Sequence, residues 1–206
     1  MFALVDKSDN SITKMLNGNK GITIGDNQYP RAIFSLWSEA ERNAINIYIV
    51  TIDESKRKNE QWYINTNITY SFDGTNATGS YGDATAKAHA NTTWTQEQID
   101  DGDAPDGADT DTVAVEGLKT KLIRTIKSQA EVELNRTDWY ITRKAEKNTA
   151  IPSAITTHRD AVRSKQDSMC TAITNASDTP ALETLYTYAE QEDGSVTRPL
   201  GELPTL

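Results

Sequence analysis

Residues 134–152, LNRTDWYITRKAEKNTAIP, force a corner on the chain. A helical run reaches Leu134. Asn135, Arg136 and Thr137 interrupt it, and Thr137 or Asp138 can cap a new helix by accepting a backbone N–H from the next turn. Trp139, Tyr140 and Ile141 then load the new element with bulky apolar groups. Ile151 ends it, because the residue before a proline is pushed out of the α region. Pro152 suits the first position of the next helix, where the N–H it lacks has no partner anyway. The stretch therefore predicts two long helices joined by a short one, with Trp139 as the pin.

The flanks carry matching stripes. Leu118, Leu122, Ile126, Ala130 and Leu134 recur every four residues, with Val115 and Ile123 beside them, which predicts a helix from about residue 112 to 134. Ile155, Val162, Met169 and Ile173 mark a second helix over residues 152–175. Asp178 caps a shorter one through Leu182, Leu185 and Tyr186. Residues 112–190 read as a helical hairpin or small bundle, and residues 191–206, with two prolines, as an extended tail.

The first 82 residues follow a different period. Phe2 to Val5 and Ile12 to Leu16 fit a hairpin around Ser8, Asp9 and Asn10. Ile22 to Ile24 is a brief strand. Ser38 with Glu41 three residues later fits a capping box and predicts a helix at 38–45. Ile45, Ile47, Ile49 and Ile52 alternate in part, as a half-buried strand does. Trp62 to Ile64 and Ile68 to Phe72 suggest another hairpin; Asp73 with Gly74 marks a turn before a last strand near 78–81. The fold class is α+β: a small N-terminal mixed β domain (1–82), an acidic linker (83–111) and a C-terminal helical domain.

Residues 83–111 are rich in Asp, Thr, Ala, Asn and Gly, and Trp94 and Ile99 are their only large apolar groups. Such a segment buries too little to offset its ordering entropy unless it lies on a neighbour. Trp94 is a candidate anchor, and residues 95–98 a helical turn. Across the chain, hydrophobic residues make up 36%, low for a chain of this length packed around one core. An extended shape or burial against other subunits would explain the deficit. The net charge of −9 excludes nucleic-acid binding through phosphate contacts and attraction to anionic membrane surfaces. No run reaches the ~20 apolar residues of a membrane span. The start, MFALVDKSDN, lacks the pattern of a signal peptide.

The segment TDWYITRKAEKNTAIPSAITTHRDAVRSKQDSM resembles one found in tail-fibre and tail-fibre-assembly proteins of tailed bacteriophages. There a TDW motif leads into a helix, an isoleucine–proline pair and a further helix with a tyrosine-or-histidine–arginine pair. MFALVDKSDNSITK and GITIGDNQYPRAIFSLWSEAERNAINIY look like the N-terminal module of similar proteins from marine and cyanobacterial phages. Together these cover about two thirds of the chain. The resemblance brings no catalytic residues with it.

Candidate chemistry is sparse. Asp100, Asp101, Asp103, Asp106, Asp109 and Asp111 offer oxygen ligands, but counting from Asp101 an EF-hand loop would meet Pro105 at its fifth position and Thr112 at its twelfth, so the motif fails. His89 and His158 have no metal-binding spacing, and His158 with Arg159 is expected on an exposed helix edge. Cys170 next to Met169 reads as a small buried hydrophobe or, alternatively, as an intersubunit cysteine. Glu39 with Glu41, and Glu131 with Glu133, are two apart and do not face each other on a helix. A glycosidase pairing distant carboxylates is disfavoured, because the repeated strands of β-helical depolymerases are missing.

The sequence thus predicts no catalytic, cofactor or metal site. Its interface candidates are Trp94, Leu118, Leu122, Ile126, Trp139 and Cys170. With the resemblance, the expected function is a structural virion component at the tail tip or baseplate periphery, as a fibre or fibre-attachment protein. The alternative is a tail-fibre assembly chaperone not retained in the particle. Expected partners are other tail or baseplate proteins and further copies of the chain, as a trimer for example. The expected location is the virion tail, after synthesis in the host cytoplasm.

Overall fold

A computed structural model describes all of residues 1–206. The architecture is α+β, with strands concentrated in the N-terminal part and the long helices in the C-terminal part. The chain divides into two compact units, Met1–Thr85 and Ala86–Leu206. The acidic stretch from residue 86 onward falls inside the second unit.

The first unit holds β1 (Phe2–Asp6), β2 (Ser11–Leu16), β3 (Ile22–Ile24), β4 (Asn27–Tyr29), α1 (Ile33–Leu36), α2 (Glu39–Ala44), β5 (Ile47–Asp53), β6 (Tyr63–Ile64), β7 (Thr69–Phe72) and β8 (Ala77–Ser80). Five strands form one sheet in the order β2-β1-β5-β8-β7. Its pairs are antiparallel except β5 with β8, which run parallel. The outer strands β2 and β7 approach each other, so the sheet curls. Alternation sends Ala3, Val5, Tyr48, Val50, Phe72 and Ala77 to one buried face, where the Tyr48 and Phe72 rings stack at 4.5 Å. Gly79 of β8 belongs to this crowding: a Cβ there would lie 2.8 Å from both Ile52 and Tyr70 side chains.

The β1–β2 hairpin and the α2 capping box, with Ser38 and Glu41 bonded reciprocally, match the sequence reading. The hairpin expected between residues 62–64 and 68–72 does not form. β7 pairs with β8 instead. Asp73 Oδ1 accepts from the backbone N–H groups of Asn76 (2.7 Å) and Thr75 (2.8 Å), and Gly74 turns with a φ of 97°, which together make the tighter turn. The Asn65 side chain instead bonds both backbone groups of Lys58, closing a separate loop.

The second unit follows β9 (Thr85–Ala86), which straddles the boundary. It contains β10 (Thr92–Thr93), α3 (Gln96–Asp100), β11 (Val113–Val115), α4 (Leu118–Asn135), α5 (Asp138–Lys147), α6 (Ser153–Asn175), α7 (Thr179–Tyr186), β12 (Ala189–Glu190) and β13 (Val196–Thr197). The helix expected from residue 112 begins at Leu118. Residues 113–115 pair with β10 instead, and Val115, expected in the helical stripe, is exposed there. The cause is a cap from a distance: Ala88 and His89 C=O accept from the N–H groups of Leu118 and Lys119 (both 3.0 Å), and Asn91 Oδ1 accepts from Gly117 N–H (2.8 Å) and the Thr120 hydroxyl (2.7 Å). Gly117 is needed because a Cβ there would run into the Ala90 backbone.

α4 and α6 are antiparallel: Lys119 Nζ at the start of α4 donates to Thr174 C=O near the end of α6. Their contact buries Ile126 and Ala130 on one helix and Val162, Met169 and Ile173 on the other. Within the acidic stretch, Thr95 and Gln98 form a capping box for α3, at the turn expected from the sequence. Asp178 caps α7 by accepting from Ala181 N–H, and Leu182 is fully buried. The tail is tied rather than loose: Leu200 is buried and its N–H donates to Leu185 C=O.

Candidate functional site

The corner between α4, α5 and α6 gathers a cluster of buried polar side chains. Arg159 is buried, and its Nη1 donates to Thr137 Oγ1 (2.7 Å), Asp138 Oδ1 (2.7 Å) and Leu134 C=O (2.8 Å). One Nη1 carries two protons, so the three acceptors share them. Thr137 is 1% exposed and passes its own hydroxyl proton to Leu134 C=O at 2.9 Å. Thr137 therefore occupies the N-cap position of α5 without a side-chain cap. This corrects the sequence reading, because the hydroxyl that would cap α5 is spent on the end of α4.

A second cluster adjoins the first. Glu133 is 6% exposed. Its carboxylate pairs with Arg136 Nη1 (3.0 Å to Oε2) and accepts from Leu206 N–H (3.3 Å). His158 Nε2 lies 3.7 Å from Glu133 Oε1, is buried and has no hydrogen-bond partner. The expectation of an exposed helix edge at His158 and Arg159 is thus overturned. Both follow the buried stripe of α6, Arg159 lying four residues after Ile155 and three before Val162. All these partners belong to the chain itself, so what the arrangement does is join three helices and the tail.

Trp139 is not the pin of the corner, since it is 50% exposed. Arg159 takes that role, because its Nη1 serves three acceptors at the corner where an indole has a single N–H to give. Trp139 instead stacks on Tyr140 with ring centroids 3.7 Å apart, and the Arg143 guanidinium lies over both rings, at 4.9 and 5.5 Å. Such cation–ring contacts are worth about 0.5–1 kcal/mol at exposed sites. Lys144 and Lys147 complete this face of α5.

The other interface candidates scatter. Ile126 is 2% exposed, inside the α4–α6 contact. Leu118 and Leu122 are half-buried on the same helix. Trp94 is half-buried and held through its N–H to Thr112 C=O. Cys170 is half-buried on α6, beside Lys127 and Asp167 in a shallow groove, and burial raises its thiol above the ordinary value. Trp94 lies in the link between β10 and α3, Trp139 on α5 and Cys170 on α6. The residues that organise the corner (Glu133, His158 and Arg159) were missed as a group. The sequence signal was the continuation of both apolar stripes through these polar positions.

In the first unit, a depression of about 650 Å³ is lined by Met1, Lys14, Met15, Leu16, Gly18 and Phe34, among others. No group of three or more His, Cys, Asp or Glu side chains is placed to hold a metal ion, and no helix is long and apolar enough to cross a membrane. The chain matches no family model, no curated protein and no solved structure.

Proposed function

We propose that the chain is a structural, non-enzymatic virion component of a tailed phage, at the tail tip or baseplate periphery, as a fibre or fibre-attachment protein. One observation carries the reading. Of the residues behind the resemblance, Thr137, Asp138 and Arg159 form a hydrogen-bonded lock at the helical corner, and His158 lies beside it against Glu133. That lock leaves Trp139 half outside, beside Tyr140 and Arg143. Trp, Tyr and Arg are the residue types that dominate binding energy at protein interfaces. The mechanism is assembly by burial, against neighbouring tail proteins and further copies of the chain, after synthesis in the host cytoplasm. Mass spectrometry of purified particles tests it. The chain should be present at a stoichiometry of several copies per tail. Its absence from mature particles, with fibres failing to assemble when it is deleted, would instead identify an assembly chaperone.

A further inference from the structure

We propose that the aromatic and basic face of α5 docks on the acidic segment 96–112 of a second copy of this chain. The inference rests on the self-associating component proposed above and names the two surfaces. On α5, Trp139, Tyr140, Arg143, Lys144 and Lys147 fall on one side of the helix, at spacings of one, three and four residues. Arg143, Lys144 and Lys147 form no ion pair within the chain, and Arg143 Nε has no hydrogen-bond acceptor. The Trp139 and Tyr140 rings lie beneath Arg143, and Glu146 is the one carboxylate in residues 139–147 of the helix.

The opposite surface lies in the same unit. Between residues 88 and 118 the chain has no Lys or Arg. Glu97, Asp100, Asp101, Asp103, Asp106, Asp109 and Asp111 are all exposed there, and none forms an ion pair. The segment has a defined shape, bounded by the β10–β11 pair and opened by the Thr95–Gln98 capping box. Each copy thus carries one unpaired cationic face with an aromatic anchor and one unpaired anionic face. Opposite potentials of this kind steer association and fix register. Two different faces meeting make a head-to-tail contact, which closes into a ring or runs on as a filament.

Sedimentation velocity on the full chain tests this with two neutralised variants, R143Q/K144Q/K147Q and D101N/D103N/D106N. All six positions are exposed or half-exposed, and circular dichroism checks that both variants keep the fold. The parent chain should associate at low salt and weaken about tenfold or more on moving to about 0.5 M salt. Each variant alone should be monomeric. Mixed in equal amounts they should form a one-to-one dimer, because one variant keeps the acidic segment and the other the basic face. A parent that stays monomeric, a variant that still associates alone, or a mixture that stays monomeric overturns the proposal. An oligomer that both variants retain would remove these surfaces but leave the component reading intact, whereas absence from particles would remove that reading and leave the contact standing.

Discussion

Arg159 of α6 donates to Asp138 of α5 across 2.7 Å, and the same nitrogen reaches Thr137 and the last turn of α4. A single guanidinium therefore fixes the angles of three helices. Breaking a buried, hydrogen-bonded ion pair from one side strands the remaining groups. Asp138 is half-exposed, which moderates the loss. Arg159→Met should cost about 3 kcal/mol, most of it from the stranded Thr137 and Leu134 acceptors. Urea unfolding followed by circular dichroism measures it. Arg159→Lys should recover part of the loss, because an ammonium also brings several donors on one nitrogen but sits on a shorter side chain. A melting curve unchanged by Arg159→Met would remove the lock from this account.

Two apolar residues on neighbouring helices should respond to truncation by different amounts. Ile126→Ala opens a cavity in the α4–α6 contact and should lower stability by about 2–5 kcal/mol. Trp139→Ala removes a larger side chain, yet it should cost only about 1–2 kcal/mol, because half of that surface is already in water and the rest is its contact with Tyr140 and Arg143. Equal midpoint shifts for the two variants would contradict this assignment of core and surface.

Asp73 gives the first unit a pH dependence. Backbone N–H bonds from Asn76 and then Thr75 hold its carboxyl below the ordinary value. A depressed folded value means that the turn is stabilised above the unfolded carboxylate value and loses that support as pH falls through the folded one. Side-chain carboxyl NMR should therefore show Asp73 more ionised at about pH 4 than ordinary aspartates are. Asp73→Asn should flatten the acid limb of the stability profile between the unfolded and folded values. A titration of Asp73 at the ordinary value would refute the turn geometry.

Cys170 should be a slow thiol. Burial raises it, against the opposing pull of Lys127, so little thiolate is present at neutral pH. Alkylation by iodoacetamide at about pH 8 should lag behind a free cysteine and catch up in denaturant. Prompt labelling of the native chain would show a more open site, as would a disulfide-linked dimer on a non-reducing gel of purified particles.

The regular parts of this fold were legible because their signals are local. The Ser38–Glu41 capping box, the Asp178 cap and the stripe of Ile155, Val162, Met169 and Ile173 lie within one or two turns of their partners. What escaped was long in range. Asn91 sets the start of α4 from 26 residues away, and no periodicity announces such a cap. The β5–β8 parallel pair was likewise silent, because alternation gives a strand its faces but not its neighbour. Trp139 misled because bulk alone suggested an anchor, while the acceptors left by the break at residues 135–137 required a donor that tryptophan can supply only once. Arg159, with its fork on the buried stripe, met that need.

The parallel register of β5 with β8 also sets an order of events at the ribosome. β5 can pair with β1 as soon as residue 53 has emerged, but its other edge waits for β8 some thirty residues later. In that interval the nascent chain offers an open strand to any neighbour, including another copy on the same message. Slowing synthesis within residues 54–76 would lengthen this interval, and speeding it there would shorten the time in which the sheet can be completed by the wrong strand.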